Sequence, residues 1–523
     1  MLGGNASSEI RMWICGAHGK DMRETGILEE LVLENFYRNS GLKFSIWDTV
    51  LYEKAMGEEN LTLLLNTSCL DANMEGDQIQ SVTGWQSCAE TYHTVYAKYY
   101  ADCSGDSILA PLTGAAYMYG REAKSDFGET IPPDVADKKT MGMSCMIQIR
   151  ETDSPKKFIP PKWAYQYPTD ADLPYKDHEL AENTNFWWIE LGGEWDCIHD
   201  TDRCREECLK IAYGVWDHVK NRGDHGAENW ELEWIGMLPG KRESRRYIGK
   251  YIVTQRDVES GGHFEDCIAY GGWSMDDHFP EGFYYRDGHP TIYHPAPSPW
   301  GLPLSCLIAR DIKNLMFAGR NISITHAALS SSRVMATCAL LGQALGTAAA
   351  QAVQTGRALT ELDIDLLQQT LLWDDCYLPY TERKIAQEHE AHCSDAIVCN
   401  GKERGEENLW KGAEGAYLEY RFDEPVYVEQ VRFVFDSDLN RDYHNMPCNY
   451  PLKQEKYKLP QTLIRDYDLV ITAEDGTVCR QEYEENHERL VFHEIRQRVV
   501  GIRFVPKRTW GAEEYRVFGF DFC

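Results

Sequence analysis

The sequence predicts an α/β chain carrying an irregular sheet-based insertion and closed by an all-β domain, and three observations predict it. A short apolar strand at 314–318 runs into Gly319-Arg320, and a Gly/Ala-rich helix follows from about Ser332 to Thr355, the strand–loop–helix pattern of an α/β layer. From about residue 395 onward, short strand-like runs recur with turn residues between them, as in a β-sandwich. Between 140 and 300 the chain is rich in Trp, Tyr, Pro and His, which reads as an α+β cap with long loops. With 523 residues the chain exceeds one ordinary core, so several domains are expected.

Ile27 to Asn39 places Ile27, Leu28, Leu31, Val32 and Phe36 at helical spacing. Val50–Met56 and Glu90–Tyr92 are ambiguous. Leu61–Leu65 and Ile79–Trp85 read as strands paired around the Glu75-Gly76-Asp77 turn, and Val95–Ala101 as a strand ending at Asp102-Cys103-Ser104-Gly105-Asp106. The C-terminal strands are expected at Ala416–Phe422, Val426–Asp436, Leu469–Ala473, Leu490–Phe492 and Val499–Val505.

A formal net charge of -30 repels phosphate backbones and anionic lipid surfaces, so neither nucleic acid nor membrane is an expected partner. Val334–Val353 is too rich in Gly, Ala, Gln and Thr for a membrane span, and Met1-Leu2-Gly3-Gly4-Asn5 has no leader character. The 17 scattered cysteines read as free thiols in a reducing, cytoplasmic setting. The pairs Cys204/Cys208 and Cys393/Cys399 fit no zinc template, so no metal site is expected.

Two segments suggest a dinucleotide site. Gly342, Gly346 and Ala350 share one helix face, which suits close approach by a flat ligand or equally tight packing in a core. Gly319 at a strand end permits close backbone approach, and a helix start near Ser330-Ser331-Ser332 would present free N–H groups to an anion. Gly105-Asp106 could set a carboxylate against a cofactor's sugar or pyrophosphate, or simply cap a turn.

Taken in order, these segments resemble the FAD-dependent oxidoreductase family, with its glutathione-reductase-like flavin fold. Leu2-Gly3-Gly4-Asn5-Ala6-Ser7-Ser8-Glu9-Ile10 resembles the stretch that follows the family's second Rossmann strand, and Tyr100–Asp106 its D-A-T-G-D stretch. Asn314–Arg320, Thr325-His326, Arg333-Val334-Met335 and Gly342-Gln343-Ala344 resemble its closing flavin motif. Lys241-Arg242-Glu243-Ser244-Arg245-Arg246 and Gly271-Gly272-Trp273 look like further landmarks. The resemblance implies FAD as cofactor, held by Gly3, Gly4, Asn5, Ser7, Ser8, Gly105, Asp106, Gly319, Arg320, Met335, Gly342, Gln343 and Gly346. It implies an incomplete Rossmann-like FAD-binding domain at 1–139 and 301–375, a cap at 140–300 and a linker at 376–394. Residues 395–523, with Val499–Val505 and Val517-Phe518-Gly519-Phe520, are similar to a galactose-binding-like (discoidin-type) sandwich, used for glycan binding or for docking.

The family's opening strand and G-x-G-x-x-G are absent from the 523 residues. A start assigned too late is the expectation, over a shortened chain or a protein that no longer uses flavin. The expected activity is oxidation of a sugar or glycoside hydroxyl by hydride transfer to flavin. The alternative is a non-flavin carbohydrate-binding or interaction protein, or a lyase. His326 is the first choice for proton acceptor, with a loop hydrogen bond as its other role, and His278 is the second. Glu9 and Arg11 face substrate or pair with each other, and Arg245 and Trp273 contact substrate or hold the cap. Abundant aromatics beside carboxylates suit a small carbohydrate substrate as well as ordinary cores. A homo-oligomer is compatible with the composition.

Overall fold

Gly76, at φ +60°, makes the turn that pairs Thr67–Glu75 with Gln78–Gln86, and Thr91–Val95 adds a third antiparallel strand. The first strand therefore begins at Thr67. The apolar run Leu61–Leu65 lies ahead of it outside any strand, because register is counted back from the turn. In this computed structural model, residues 1–182, 184–385, 391–454 and 456–523 are described. The middle of the expected linker, 386–390, lies outside the described residues.

The chain divides into two compact units. Unit 1 comprises Met1–His18, Gly41–Ile364 and Tyr443–Tyr457; unit 2 comprises Gly19–Ser40, Asp365–Asp442 and Lys458–Cys523. Residues 140–300 are part of unit 1, and the Ile27–Arg38 helix belongs to unit 2.

Unit 1 positions the site through β1 (Tyr100–Asp102), α1 (Thr201–Asp217), β2 (Cys267–Gly271), β3 (Met275–His278), β4 (Leu315–Phe317), α2 (His326–Ser332) and α3 (Met335–Thr355). β1 and β4 pair in parallel, and all three residues of β4 are buried, as a strand covered on both faces requires. Of the expected Val95–Ala101 run only Tyr100 and Ala101 are part of that pair, while Val95 belongs to Thr91–Val95, which closes the three-stranded sheet. Among the described residues β1 pairs on one side only. Asn314 ties the pair to the hairpin, donating to Ile79 O at 2.9 Å and accepting from Ile79 N–H at 2.9 Å.

After β4, Gly319 turns the chain at φ +107° into a buried loop. The Thr325 side chain caps α2, and all seven residues of α2 are buried. The single helix expected from Ser332 is thus two, broken at Arg333-Val334. Ser330, Ser331 and Ser332 lie inside the last turns of α2, so the exposed N–H groups expected there do not exist. The later helix starts at Met335, and one of its first N–H groups, on Ala336, donates to Cys15 O at 3.0 Å. Along α3, Ala344, Leu345 and Ala348 face the core while Gly342, Gly346 and Ala350 are exposed. A Cβ added at Gly342 or Gly346 would meet nothing within 4 Å among the described residues. In the cap segment, α1 buries Cys204, Cys208, Ile211, Val215 and Trp216 against Ile147, Ile149 and Trp188. No single described helix is long and apolar enough to cross a membrane.

Unit 2 is built on β5 (Leu418–Phe435), β6 (Ile464–Ala473), β7 (Leu490–Thr509) and β8 (Tyr515–Phe522) within a seven-stranded antiparallel sheet. The expected short strands at 416–422 and 426–436 are one continuous strand, as are those at 490–492 and 499–505. Breaks in register between Arg421 and Val426 bend β5 without ending it. Leu418, Tyr420, Phe422, Val428 and Phe433 from β5 meet Ile471, Ile502 and Phe504 in one core, consistent with a β-sandwich. The buried Arg432 guanidinium is neutralised by Glu403 at 2.9 Å.

Candidate functional site

The opening loop folds over itself through glycine. Gly3 and Gly4 take φ +92° and +54°, and the turn that follows is pinned by the Trp47 indole N–H donating to Ala6 O at 3.0 Å. Asn5 then donates to Lys241 O at 3.1 Å, bringing the loop to the 240–242 segment. Gly240 allows this approach, since a Cβ there would lie 2.8 Å from Ile10 Cγ2. Gly272 does the same further along, where a Cβ would lie 2.6 Å from that of Ala17. The Trp273 ring beside it stacks on His18 at 4.3 Å.

These approaches enclose a cavity of about 260 Å³. Its aromatic walls are Trp13, Trp187, Trp273 and Tyr293, and its polar groups are Arg242, Asp276, His278 and Arg333. Val334 and Met335, at the start of α3, line it as well. Strand alternation explains the division of labour on β3: Asp276 and His278 line the cavity, while Asp277 meets His326.

His278 Nδ1 lies 2.8 Å from Glu190 Oε2, and its Nε2 lies 3.4 Å from Asp276. Burial opposes the charged ring, but the carboxylates of Glu190 and Asp276 outweigh it and raise the His278 pKa above its ordinary value. Burial alone would raise Asp276; His278 and Arg333, the latter at 2.9 Å, reverse this and hold it well below the usual carboxylate range. Two donors on the cavity lining, Trp273 Nε1 and Arg333 Nε, have no hydrogen-bond partner among the described residues. Buried donors of this kind are costly unless something accepts from them.

A second charged network lies deeper. His326 Nδ1 meets Glu243 at 2.9 Å and Nε2 meets Asp277 at 3.1 Å. Its backbone N–H donates to Glu122 at 2.9 Å, and Arg246 bridges Glu122 at 2.9 Å and Glu243 at 3.2 Å. Burial disfavours the imidazolium, yet Glu243 and then Asp277 hold its pKa up at about 10. His326 is therefore corrected as first choice of proton acceptor: it is not on the cavity wall, and Glu243 and Asp277 hold it protonated at neutral pH.

The Gly105-Asp106 loop forms a third cluster. Asp106 receives Lys241 at 2.7 Å, Arg320 at 2.9 Å and the Ser244 hydroxyl at 2.8 Å, so its carboxylate is already neutralised rather than held out to a sugar. Burial pushes Asp106 up, and Arg320 and Lys241 more than reverse that, leaving it below its ordinary value. Gly105, at φ +76°, is needed because a Cβ there would sit 2.5 Å from the Arg320 guanidinium.

Asp106→Asn should destabilise unit 1 by about 1–2 kcal/mol, a partly exposed version of breaking an ion pair. Because the folded pKa is depressed, this contribution is present above pH ~3.9 and disappears as pH falls through the folded value. Urea midpoints of wild type and variant at pH 7 and in acid measure it; identical midpoints at pH 7 would rule the cluster out as a stabilising unit.

Of the residues singled out from sequence, Asn5, Trp273, His278 and Met335 line the cavity. Ser7 is buried beneath the opening loop, and the Ser8 N–H donates to Asp48 at 3.0 Å. Glu9 is exposed, 4.0 Å from the Met1 amine, and so does not face substrate. Arg11 turns away to stack over Phe44 and Trp234 and donates to Gln148 at 3.2 Å, so it neither pairs with Glu9 nor reaches the cavity. Arg245 lies over Tyr117 and donates to Asp106 O. Gly342, Gln343 and Gly346 are on the α3 surface away from the cavity lining, as are Gly319 and Arg320 on their loop. Sequence reasoning missed Arg242, Asp276 and Arg333 as lining groups. Arg242 and Arg333 sit within segments already singled out, but nothing in spacing alone distinguished them from structural arginines.

No curated protein matches the chain. Solved structures similar to its C-terminal region include a family 32 carbohydrate-binding module of Streptococcus pneumoniae EndoD, at 12% identity and TM-score 0.21, covering 26% of this chain and 96% of that one. Another is a GH31 CBM32-2 bound to GalNAc, at 9% identity and TM-score 0.21, covering 26% and 97%. A third is a Streptococcus pneumoniae fucose binding module, at 9% identity and TM-score 0.18, covering 26% and 93%. A family model described as FAD dependent oxidoreductase matches residues 1–371. The opening loop, the 240–242 segment, β3 and the start of α3, which together enclose the cavity, all fall within that span, and the chain belongs to the FAD dependent oxidoreductase family.

Proposed function

We propose that the 260 Å³ cavity is the substrate end of a flavin site in which a sugar or glycoside hydroxyl is oxidised, with His278 as proton acceptor. The observation that supports this most is the pairing of unpartnered donors, Trp273 Nε1 and Arg333 Nε, with aromatic walls at the start of α3. Such donors suit ring carbonyls or substrate hydroxyls, and flat aromatic faces suit either an isoalloxazine or the C–H face of a sugar. The volume is below the ~300–1,000 Å³ of whole-ligand pockets, so it suits one ring system rather than an entire dinucleotide.

When bound, FAD supplies the hydride acceptor. The residues of this chain do the rest. Trp187 packs edge-on against His278 at 5.3 Å and limits how far the ring can swing. Glu190, buried, fixes the Nδ1 side at 2.8 Å, and Nε2, held more loosely by Asp276 at 3.4 Å, is the nitrogen to take a hydroxyl proton. Arg242 and Arg333 keep Glu190 and Asp276 ionised beside it, at 3.4 and 2.9 Å.

The phosphate end has a different basis. A G-x-G-x-x-G loop is not among the 523 residues, yet among the described residues β1 keeps one unpaired edge and α3 an open glycine face. A strand and helix can pack on such surfaces. The test joins a G-x-G-x-x-G βαβ unit ahead of Met1 and refolds the product with FAD. The expected product is yellow and keeps its flavin through gel filtration, while the unextended chain does so weakly. A joined protein that stays colourless would overturn the flavin reading and favour a sugar-binding or lyase role.

A further inference from the structure

The cap segment of unit 1 holds a cluster that the flavin reading does not use. Asp170, His178, His218 and His225 each bring one ligand atom to within 4.8 Å of all the others. They come from separate places: Asp170 from a short turn, His178 from the loop after it, His218 from the end of α1, and His225 from the following loop. After α1 the helix widens into a π turn over His218–Arg222, a deviation that recurs at functional sites.

The protons in this cluster are constrained. His218 Nδ1 lies 2.8 Å from Tyr167 O, and a carbonyl only accepts, so that nitrogen carries the hydrogen. Its Nε2 lies 3.1 Å from Asp170 Oδ1 and 3.2 Å from His225 Nε2. His225 Nε2 lies 3.5 Å from the same Asp170 oxygen. One cation placed among these three atoms would be within bonding reach of all of them. The fourth member, His178, has a buried Nε2 with no hydrogen-bond partner among the described residues. Its ring lies 5.0 Å from that of His218 and 4.9 Å from that of His225.

The spacing fits one kind of ion. A tetrahedral ion with metal–ligand bonds of about 2.0–2.1 Å has ligand-to-ligand edges of about 3.3 Å. The three measured edges, 3.1, 3.2 and 3.5 Å, bracket that value. The Nδ1–H bond of His218 to a backbone carbonyl is the outer-shell contact that orients a metal-binding imidazole.

We propose that Asp170, His178, His218 and His225 form a four-coordinate site for a zinc-class divalent cation. Three neutral imidazoles and one carboxylate leave a net single positive charge, with the exposed Asp170 as the outward ligand. The ion would pin the 169–178 loop to the end of α1, a structural role independent of flavin. The site was invisible in the cysteine spacings because its ligands are His and Asp drawn from four segments.

The test is metal content and metal response of the full chain. After loading with Zn²⁺ and dialysis against metal-free buffer, the wild type should keep close to one zinc per chain, and its melting temperature should rise with added Zn²⁺. Co²⁺ in place of zinc should give the intense visible bands of tetrahedral coordination. His218→Gln and His178→Gln should each weaken Zn²⁺ binding about 100-fold, and Asp170→Asn about 10-fold. His178→Gln changes a half-buried loop residue and guards against a folding failure at the fully buried His218. A wild type that leaves dialysis free of zinc and melts at the same temperature with and without Zn²⁺ overturns the proposal. So does bound zinc that survives all three substitutions, or a weak octahedral Co²⁺ spectrum.

Discussion

His326→Ala should destabilise the protein by about 3–5 kcal/mol, the range for removing one partner from a buried ion pair. The imidazolium sits between Glu243 at 2.9 Å and Asp277 at 3.1 Å, and it is 1% exposed. Without it, buried Glu243 is left to Arg246, which is already committed to Glu122, and the partly exposed Asp277 loses its ion-pair partner. The sign with pH follows from a pKa raised to about 10 in the folded state. The stabilisation is complete below the unfolded value of about 6.5 and is lost as pH rises through about 10. The gap between wild type and variant, measured by urea unfolding, should therefore be widest near pH 6 and close towards pH 10–11. A gap under about 1 kcal/mol, unchanged across that span, would show that His326 is not held charged by its neighbours.

How much of this was legible beforehand varies with the physics of each element. The hairpin at Glu75-Gly76-Asp77 and the strand at 314–318 were legible because a turn glycine and a short apolar run act locally. The break at Arg333-Val334 was not, since no Pro or Gly marks it and the apolar pattern continues across it. What ends α2 there is tertiary: Arg333 is drawn to Asp276, and Ala336 N–H to Cys15 O. The sandwich was legible as a class through alternation in Leu418, Tyr420 and Phe422, but its strand lengths were not. Irregular pairing between Arg421 and Val426 interrupts the pattern without interrupting β5. The face of Gly342 and Gly346 was read correctly as one face, and of its two expected uses tight core packing does not hold, since a Cβ at either glycine would meet nothing within 4 Å among the described residues. The choice of His326 over His278 failed for a tertiary reason. Both histidines follow motif segments, and only the alternation of β3 against α2 decides which of them reaches the cavity.

That decision has a kinetic consequence. In flavin-loaded protein, His278→Asn should lower the rate of flavin reduction by a methyl glycoside about 10²–10⁴-fold, the range for losing a positioned acid–base group, with little change in KM. His278 lines the cavity and is oriented by Glu190 at 2.8 Å, whereas Asn keeps a polar group of similar reach but takes up no proton. Burial lowers the His278 pKa less than Glu190 and Asp276 raise it, so the ring gives up its proton above its ordinary range and must do so before it can act as base. The wild-type rate should therefore climb with pH along a limb whose midpoint lies above the ordinary value of about 6.5. His278→Asn should flatten that limb, which a purely structural role would not do. The same substitution removes a charge from between two carboxylates, so it should also lower the melting temperature; the pH profile separates the two effects. An unchanged profile in a folded, flavin-bearing His278→Asn protein would place the base elsewhere on the cavity wall, with Asp276 next to be examined because its oxygen already faces Arg333 at 2.9 Å.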